Sequence, residues 1–493
     1  MLPGILPMKS QVFNPFLPCW EYIPDGEPHV FGDRLYIFGS HDAFDGAAYC
    51  VNDYAAWSAP VDDLSDWRCE GVIYKKGQDR LNPDGTRFMF APDVAQGTDG
   101  RYYMYYTLDL TGDVGAMSVA VCDTPAGKYD YYGAVRYKDG KVLGLNEGGL
   151  LNFDPGVFVD DDKRVFLYTG IAPPDIGGLR KKINALHRIA DGAYVIELES
   201  DMVTIKTGPK CIFKGVNETK GTDFEGHAFF EASSMRKING EYYFIYSSEN
   251  SHELCYAIGD SPDGDFRFGG TLVSIGDVFL NGRNREEALN YLGNTHGSIV
   301  CVKDQWYVFY HRQTNLNQFS RQACAEPIYI LPDGSIPQVE ITSCGLNGGP
   351  LTGRGVYEAR IACNLRSEKG VFAYGMVKPE NNEHPYFTQE TPDCEQESSQ
   401  YIANMRNGGT AGFKYFAMDG ADKIGAIVRG RGNGLLIVST GINSSPIAEI
   451  PIKSGSEWRK IDAPLLPIYG KHALYFTYQG NESVDFKSFE LGK

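Results

Sequence analysis

Ionisable side chains recur in this 493-residue sequence at a nearly constant distance from five aromatic segments. They stand ten to twelve residues before the second aromatic position of each segment, and they are Asp25, Asp93, Asp154, Glu231 and His296. Carboxylates and an imidazole brought to one place could perform general acid and base catalysis. Hydrolysis of a glycosidic bond needs one protonated carboxyl group and one ionised carboxylate, and this set could supply both.

A lone aspartate before proline or glycine is typical of a turn, so no single member of the set indicates catalysis. The shared register of all five members favours a function. Burying like charges together costs free energy unless the charges serve catalysis or hold a cation. We therefore interpret the set as one functional site.

The aromatic segments that position these residues are near-copies of one strand, spaced 60 to 80 residues apart. Their sequences are DRLYIFGSHD, GRYYMYYTLD, KRVFLYTGIA, GEYYFIYSSEN and DQWYVFYHR. Short strands divided by Gly, Asn and Asp turns indicate an all-β fold, and repeats of this length are typical of propeller blades. Five repeats between about residue 20 and residue 315 predict a five-bladed β-propeller. Its innermost strands would bring the ionisable residues to one mouth of the central channel.

The composition excludes several classes of function. A net charge of −17 argues against a nucleic-acid partner, since no basic surface is available for phosphate. No run of 18 apolar residues is present, so we expect no membrane span. The sequence also lacks a GxSxG elbow, an HExxH zinc motif and a P-loop. Aromatic residues make up 13% of the chain, which suits β structure and stacking against sugars.

The 11 cysteines are scattered and show no CxxC spacing, which indicates reduced thiols rather than a disulfide framework. The first residues, MLPGILPMKSQVF, lack the long apolar core of a signal peptide. Together these features predict a cytoplasmic protein, unless a leader has been removed.

The motifs around the ionisable residues resemble those of glycoside hydrolase family 43. The similarity spans roughly residues 10 to 335 in the order PDGEPHVFGDRLYIFGSHD, FAPDV, FDPGVFVDDDKRVFLYTG, FEASSMRKINGEYYFIYSS and THGSIVCVKDQWYVFYHR. The resemblance implies a five-bladed propeller that hydrolyses glycosides with inversion. It implies Asp25 as general base, Asp154 as the residue that tunes the pKa of the acid, and Glu231 as general acid. It also implies that His296 ligates a structural calcium ion with water on the axis, while the chemistry itself needs no cofactor.

The sequence departs from the family pattern at two motifs. The first reads PDGEP instead of PDP, so Glu27 could be the base if the chain were shifted by two residues. Asp25 fits the ten-to-twelve-residue register, whereas Glu27 lies nine residues from Tyr36. The acid motif reads FEASS instead of the commoner EGP, which weakens the assignment of Glu231.

Three further residues are candidates for the sugar pocket. Asp93, in the APD sequence of the second repeat, is expected at the same mouth, where it would bind sugar hydroxyls. Phe90 and Trp20 could form an apolar wall, although an aromatic residue is equally expected in the core.

Four polar residues complete the candidates. His227 could contact substrate or be a structural histidine, and Arg312 could donate to a sugar hydroxyl or pair with one of the acids. His41 and Asp42 follow the first repeat, where they could line the pocket or cap a turn.

After the repeats, the sequence changes to short predicted strands separated by glycines and polar turns. We predict a catalytic propeller over residues 1–335 and a β-sandwich over residues 336–493. The segment NMRNGGTAGFKYFAMDGADKIGAIVRGRGNGLLIV and the later KHALYFTYQGNESVDFKSFEL resemble carbohydrate-binding module family 6. With Trp458 as its only tryptophan, this region could bind glycan or could simply pack against the propeller.

The resulting prediction is an inverting, exo-acting glycoside hydrolase that releases a pentose or furanose sugar from plant-type oligosaccharides or polysaccharide side chains. An α-L-arabinofuranosidase is the first choice, and a β-D-xylosidase or β-D-galactofuranosidase is the alternative. A retaining β-fructosidase is disfavoured, because the N-terminal segment reads IPDGEP and not NDPNG. A non-catalytic carbohydrate-binding propeller would be expected to lack one of the three acids.

Overall fold

The computed structural model describes residues 10–109, 115–145, 148–175, 178–391 and 399–492. Five antiparallel sheets, consecutive in the chain, form its first part; the first four have four strands and the fifth has three. Their strands are β1 (Glu27–Phe31), β2 (Arg34–Phe38), β3 (Tyr54–Pro60), β4 (Arg68–Tyr74), β5 (Met89–Gln96), β6 (Tyr102–Leu108), β7 (Met117–Cys122), β8 (Asp130–Ala134), β9 (Gly156–Val159), β10 (Val165–Thr169), β11 (Gly192–Leu198), β12 (Ile205–Lys214), β13 (Phe229–Ile238), β14 (Glu241–Ser248), β15 (Glu253–Gly259), β16 (Arg267–Ser274), β17 (Ile299–Val302), β18 (Gln305–Gln313) and β19 (Arg321–Ile328). The all-β prediction is confirmed, and the five sheets follow the five predicted repeats.

The repeated aromatic segment is the second strand of every blade, and it is buried on both faces. In β14, Tyr243 and Ile245 join the apolar cluster shared with the fifth blade. The alternate residues Phe244 and Tyr246 join the cluster shared with the third blade. Successive side chains of a strand point to opposite faces, so one strand fills two seams. The same division holds for β2, β6, β10 and β18, which explains why one strand sequence recurs five times.

The ring closes where the first blade meets the fifth. Gly26 and Gly297 form a parallel bridge beside the axis. The segment ahead of β1 runs along β19, where Phe16 N–H donates to the carbonyl of Ala323 over 3.3 Å. The Asn14 amide donates to the carbonyl of Ala325 over 2.8 Å. This segment covers the outer edge of the three-stranded blade, which would otherwise expose an unpaired strand.

Two further sheets form the C-terminal sandwich around one apolar core. Their strands are β20 (Leu351–Thr352), β21 (Gly355–Glu358), β22 (Asn364–Arg366), β23 (Tyr386–Gln389), β24 (Gln400–Met405), β25 (Thr410–Asp419), β26 (Lys423–Gly430), β27 (Gly434–Ser439), β28 (Pro446–Ile452), β29 (Gly455–Pro464), β30 (Tyr469–Gly480) and β31 (Val484–Gly492). One sheet has the order β20-β25-β30-β27-β28 with β22 beside β25, and the other has the order β23-β24-β31-β26-β29 with β21 beside β31.

A buried ion pair joins the sandwich to the propeller. Lys414 on β25 lies 3.3 Å from Oδ2 of Asp277, which follows the fourth blade, and 2.9 Å from Oε1 of Glu340. Lys414 and Asp277 are both fully buried. A charge buried this deeply must be paired, so the contact fixes the two parts of the chain against each other.

Helices are few. The described residues contain α1 (Leu179–Asn184) and short 3-10 turns at Lys76–Gln78, Leu280–Gly282, Arg285–Glu287, Gly345–Asn347 and Ala359–Ile361. Within the described part of the chain, no helix has the length and apolar character needed to cross a membrane. The described cysteines are free thiols, and Cys394 lies outside the described residues.

Candidate active site

The catalytic candidates sit where the innermost strands begin. Asp25 precedes β1 and Asp154 precedes β9, with φ of 56° and 43°. Aspartate tolerates this left-handed conformation better than most residues. Nearby glycines are also required. A Cβ at Gly156, two residues after Asp154, would lie 2.4 Å from the carbonyl oxygen of Ser233, and one at Gly297, directly after His296, would lie 1.9 Å from that of Phe309. Such close packing brings the strand starts together at the axis.

His296 lies at the centre of the site, between the acids. Its Nδ1 is 3.4 Å from Oδ2 of Asp154 and 3.9 Å from Oδ1 of Asp25, and its Nε2 is 3.9 Å from Oε1 of Glu27. Burial disfavours a charged imidazole, but the surrounding carboxylates, Asp154 above all, raise the pKa of His296 to about 9. A protonated ring would offset part of the negative charge of these acids, whereas a metal ion at Nε2 would bind only the neutral imidazole.

Asp25 is held in its ionised form. Burial opposes its charge, but the guanidinium of Arg321, 2.8 Å away, outweighs that effect and the pKa of Asp25 falls below its usual value. Asp25 backbone N–H also donates to Nδ1 of His311 over 3.2 Å. Burial lowers the pKa of His311 to about 3, so this imidazole is neutral and can accept that bond.

Glu231 is held in its protonated form. It lies on β13 between two irregularities of the strand pairing, and it is followed by Ala232 with a φ of 68°. Burial first, and then the nearby charge of Asp154, raise the pKa of Glu231 well above its usual value. Burial also raises the pKa of Asp154, while His296 opposes that rise. Asp25 and Glu231 thus prefer opposite protonation states, as a base and an acid require.

The positively charged partner of Asp25 was not among the sequence candidates. Arg321 begins β19, is buried, and also binds Asp42 through Nε at 2.8 Å and Nη2 at 3.0 Å. Its guanidinium lies over the ring of Tyr49, 4.8 Å from the centroid. Asp42 therefore does more than cap a turn, because it binds and orients Arg321. Nearby, His41 binds Glu21 at 3.1 Å and the carbonyl of Asp53 at 2.7 Å.

Glu27 and Asp93 form a second layer, one step further into the channel. Oε2 of Glu27 accepts from Arg236 at 2.9 Å and from Ser234 at 3.1 Å. Oδ1 of Asp93 contacts Nε2 of His29 at 2.7 Å, and its Oδ2 accepts from Val157 N–H at 2.7 Å. Both carboxylates are buried among protein groups.

The prediction that Asp93 binds sugar hydroxyls at the mouth is therefore wrong. In the strand pairing, Asp93 stands two residues before Ala95, the partner of Tyr103, just as Glu27 stands two residues before His29, the partner of Tyr36. Ala91, with a φ of 35°, stands two residues before Asp93, as Asp25 stands two residues before Glu27. In the second blade an alanine thus occupies the place of the catalytic candidates.

Two other predicted substrate contacts are corrected. Arg312 donates to the carbonyls of Ala362 and Arg360 at 2.8 and 2.6 Å, and its guanidinium lies 4.0 Å from the ring centroid of Phe387. It therefore binds the C-terminal region. His227 binds Oε1 of Glu253 at 2.8 Å and stacks on Phe268, as expected of a structural histidine.

The two aromatic candidates, Trp20 and Phe90, lie in different surroundings. Trp20 packs 5.9 Å from Trp57 in the apolar cluster between the first and fifth blades, so it belongs to the core. Phe90 is half-buried and lies 5.7 Å from Phe153, which directly precedes Asp154. A pocket wall that includes Phe90 stays a prediction.

Two buried atoms on the axis could help to hold a cation. Nε2 of His296 and Oε1 of Glu27 have no hydrogen-bond partner. Calcium prefers six to eight oxygen ligands. These residues would supply one carboxylate oxygen and one imidazole nitrogen, and water would have to supply the rest. Ligand-type atoms of Glu27, His29 and Asp93 also lie within 4.8 Å of one another.

The propeller brings three acids together, which could supply the acid and the base that hydrolysis of a glycosidic bond requires. The model of Glycosyl hydrolases family 43 matches residues 20–336, and the chain belongs to this family. It is thus a glycoside hydrolase.

Relatives support this assignment over both parts of the chain. A xylosidase/arabinosidase of Thermoclostridium stercorarium is 50% identical over 98% of this chain and 99% of its own length. A beta-xylosidase of Xylanibacter ruminicola is 31% identical over 59% of this chain and 88% of its own. The structure of an exo-β-1,3-galactanase of Phanerochaete chrysosporium covers 95% of this chain and 96% of its own, with a TM-score of 0.51 and 14% identity. That last likeness shows the fold alone.

Proposed function

We propose that the protein is an inverting, exo-acting glycosidase that releases single α-L-arabinofuranosyl units from plant-type oligosaccharides or polysaccharide side chains. The observation that carries this proposal is the convergence of Asp25, Asp154 and Glu231 around His296, with the pKa of Asp25 lowered and that of Glu231 raised. The xylosidase/arabinosidase relative at 50% identity supports a pentose as the released sugar.

In the proposed reaction, ionised Asp25 takes a proton from a water molecule as that water attacks the anomeric carbon. Protonated Glu231 gives its proton to the departing glycosidic oxygen on the opposite face of the sugar. Inversion requires a base and an acid roughly 6.5–9.5 Å apart, which leaves room for the water. Asp154 keeps Glu231 protonated through its negative charge, and Arg321 keeps Asp25 ionised and oriented.

These steps use only protein side chains, so the chemistry requires no cofactor. We also propose that a calcium ion held by Nε2 of His296 in its neutral form and by Oε1 of Glu27, with water, would have a structural role on the axis. Such an ion would stabilise the charge of Glu27 and fix the orientation of His296.

A β-D-xylosidase is the second candidate, because the relatives from Thermoclostridium stercorarium and Xylanibacter ruminicola both have xylosidase in their names. Hydrolysis of 4-nitrophenyl α-L-arabinofuranoside, β-D-xyloside and β-D-galactofuranoside by the wild type tests the choice of sugar, and hydrolysis of an arabinoxylan oligosaccharide by the wild type and Glu231→Ala tests the acid. We expect release from the arabinofuranoside, with or without the xyloside, and a loss of oligosaccharide hydrolysis in the variant, because a sugar leaving group needs a proton. Equal rates of both proteins on the oligosaccharide would contradict the assignment of the acid. Activity on the galactofuranoside alone would contradict the choice of sugar.

A further inference from the structure

The C-terminal sandwich reaches the catalytic face of the propeller. The first strand of each blade leaves this face and the second strand returns to it, so the connection from β2 to β3 and that from β18 to β19 both lie there. The first connection carries Asp42, and the second leads into Arg321, which binds Asp25. These two connections therefore form the rim of the active site at the junction of the first and fifth blades.

A segment of the sandwich, residues 374–378, is attached to both connections. The carbonyl of Tyr374 accepts from Nε2 of Gln318 over 2.6 Å in the fifth blade. Four residues later, Nζ of Lys378 lies 2.5 Å from Oδ1 of Asp45 in the first blade. The ring of Tyr374 also stacks on Tyr291 with centroids 4.4 Å apart. The segment thus crosses the seam between the two blades and is held at both ends.

A chain of contacts links this segment to the proposed base. Gln318, which binds the segment, also accepts a hydrogen bond from the hydroxyl of Tyr49. The ring of Tyr49 lies beneath the guanidinium of Arg321, and Arg321 binds Asp25. Burial is the main cause of the raised pKa of Tyr49. Tyr49 therefore connects the segment to the side of the catalytic pocket that holds Asp25.

Two apolar side chains project between the attachment points. Met376 is 50% exposed and Val377 is 82% exposed. The preceding Gly375 has open space around it, with no atom within 4 Å of where a Cβ would stand. Single exposed apolar residues need no explanation, but an adjacent pair at the lip of an active site offers a surface for a ligand.

We propose that Met376 and Val377 form the apolar wall of a subsite for sugar residues beyond the one that is cleaved. The C–H face of a neighbouring sugar ring would pack on these side chains, because the transfer of apolar surface from water is favourable. The ligand is an uncharged oligosaccharide whose terminal or branching unit occupies the axial pocket. The sandwich would thereby act in substrate selection. This inference rests on the proposed function.

The test compares long and short ligands. In a Met376→Ser/Val377→Ser variant, kcat/KM for an arabinoxylan oligosaccharide should fall roughly tenfold, with most of the change in KM. The loss for 4-nitrophenyl α-L-arabinofuranoside should be several times smaller, since this substrate has no neighbouring sugar. The matched control is Leu466→Ser, which alters a residue 60% exposed elsewhere in the sandwich and should leave both values unchanged.

A binding measurement separates this inference from the proposed function. Calorimetric titration of Glu231→Gln with the same oligosaccharide needs no turnover. We expect a roughly tenfold weaker affinity when Met376→Ser and Val377→Ser are added. The same affinity in both proteins, or the same loss for oligosaccharide and nitrophenyl glycoside, would overturn the subsite. If the wild type hydrolysed none of these substrates but the two serine substitutions still weakened binding of the oligosaccharide, only the proposed reaction would be overturned.

Discussion

Nη1 of Arg321 donates to Oδ1 of Asp25 over 2.8 Å, although the two residues are 296 positions apart in the chain. The contact joins the start of the last strand of the propeller to the proposed base at the start of the first. Closure of the ring and ionisation of the base thus depend on one side chain. Because Arg321 also binds Asp42 with two nitrogens, its guanidinium plane is fixed.

Arg321→Lys should therefore damage catalysis while keeping the charge. A lysine ammonium cannot reproduce the planar fork that serves Asp25 and Asp42 together. We expect kcat on the aryl arabinofuranoside to fall about 100-fold, since small errors in position are costly in catalysis. Arg68→Lys, which alters a largely exposed arginine of the first blade, is the control and should be neutral. Wild-type kcat in Arg321→Lys would show that Asp25 does not need this partner.

The two acids of the first blade can be told apart. Asp25→Asn should lower kcat by about 10²- to 10⁴-fold, the usual contribution of general acid or base catalysis. Glu27→Gln should retain kcat within about tenfold, because Glu27 is bound by Arg236 and Ser234 in the second layer. Steady-state kinetics of both variants on one substrate decide the matter. The reverse order of effects would make Glu27 the base.

The pH dependence of kcat/KM should be bell-shaped. Asp25 must be ionised, so activity is lost as pH falls through its lowered pKa. Glu231 must be protonated, so activity is lost as pH rises through its raised pKa. Asp154→Asn removes the negative charge that helps to raise the pKa of Glu231, and its alkaline limb should move to lower pH. An alkaline limb that stays in place would mean that Asp154 does not tune the acid.

The junction between propeller and sandwich should depend on Lys414. Lys414→Met leaves Asp277 buried without its ammonium partner, and we expect the free energy of unfolding to fall by about 3–5 kcal/mol. Urea denaturation followed by tryptophan fluorescence measures this change. The control is Lys423→Met, at an exposed ion pair with Asp462, which should cost no more than about 1 kcal/mol. Equal stability of the two variants would contradict the importance of the buried pair.

Much of the fold could be predicted from local sequence. The second strand of every blade is apolar at consecutive positions because it fills two seams, so its signal is strong and repeated. Asp25, Asp154, Glu231 and His296 could be found from their distance to that strand. Asp93 met the same spacing and was misplaced, because Ala91, two residues earlier, also lies in the ten-to-twelve-residue window and takes the place equivalent to Asp25.

Contacts between distant segments could not be predicted in this way. Arg312 and Arg321 are nine residues apart, on neighbouring strands of one blade. Only tertiary packing sends the first towards the sandwich and the second towards Asp25. The attachment of residues 374–378 to the rim is of the same kind, since nothing in the local sequence of that segment indicates its partners.

The most direct test of the account compares leaving groups. An acid catalyst matters little when the departing group is already stable as an anion. Glu231→Ala should therefore hydrolyse 2,4-dinitrophenyl α-L-arabinofuranoside with kcat within about tenfold of the wild type, and an arabinoxylan oligosaccharide at least about 10²-fold more slowly. Asp25→Ala should be slow on both substrates. An equal loss on both substrates for Glu231→Ala would contradict its assignment as the acid, and with it the division of roles between Asp25 and Glu231.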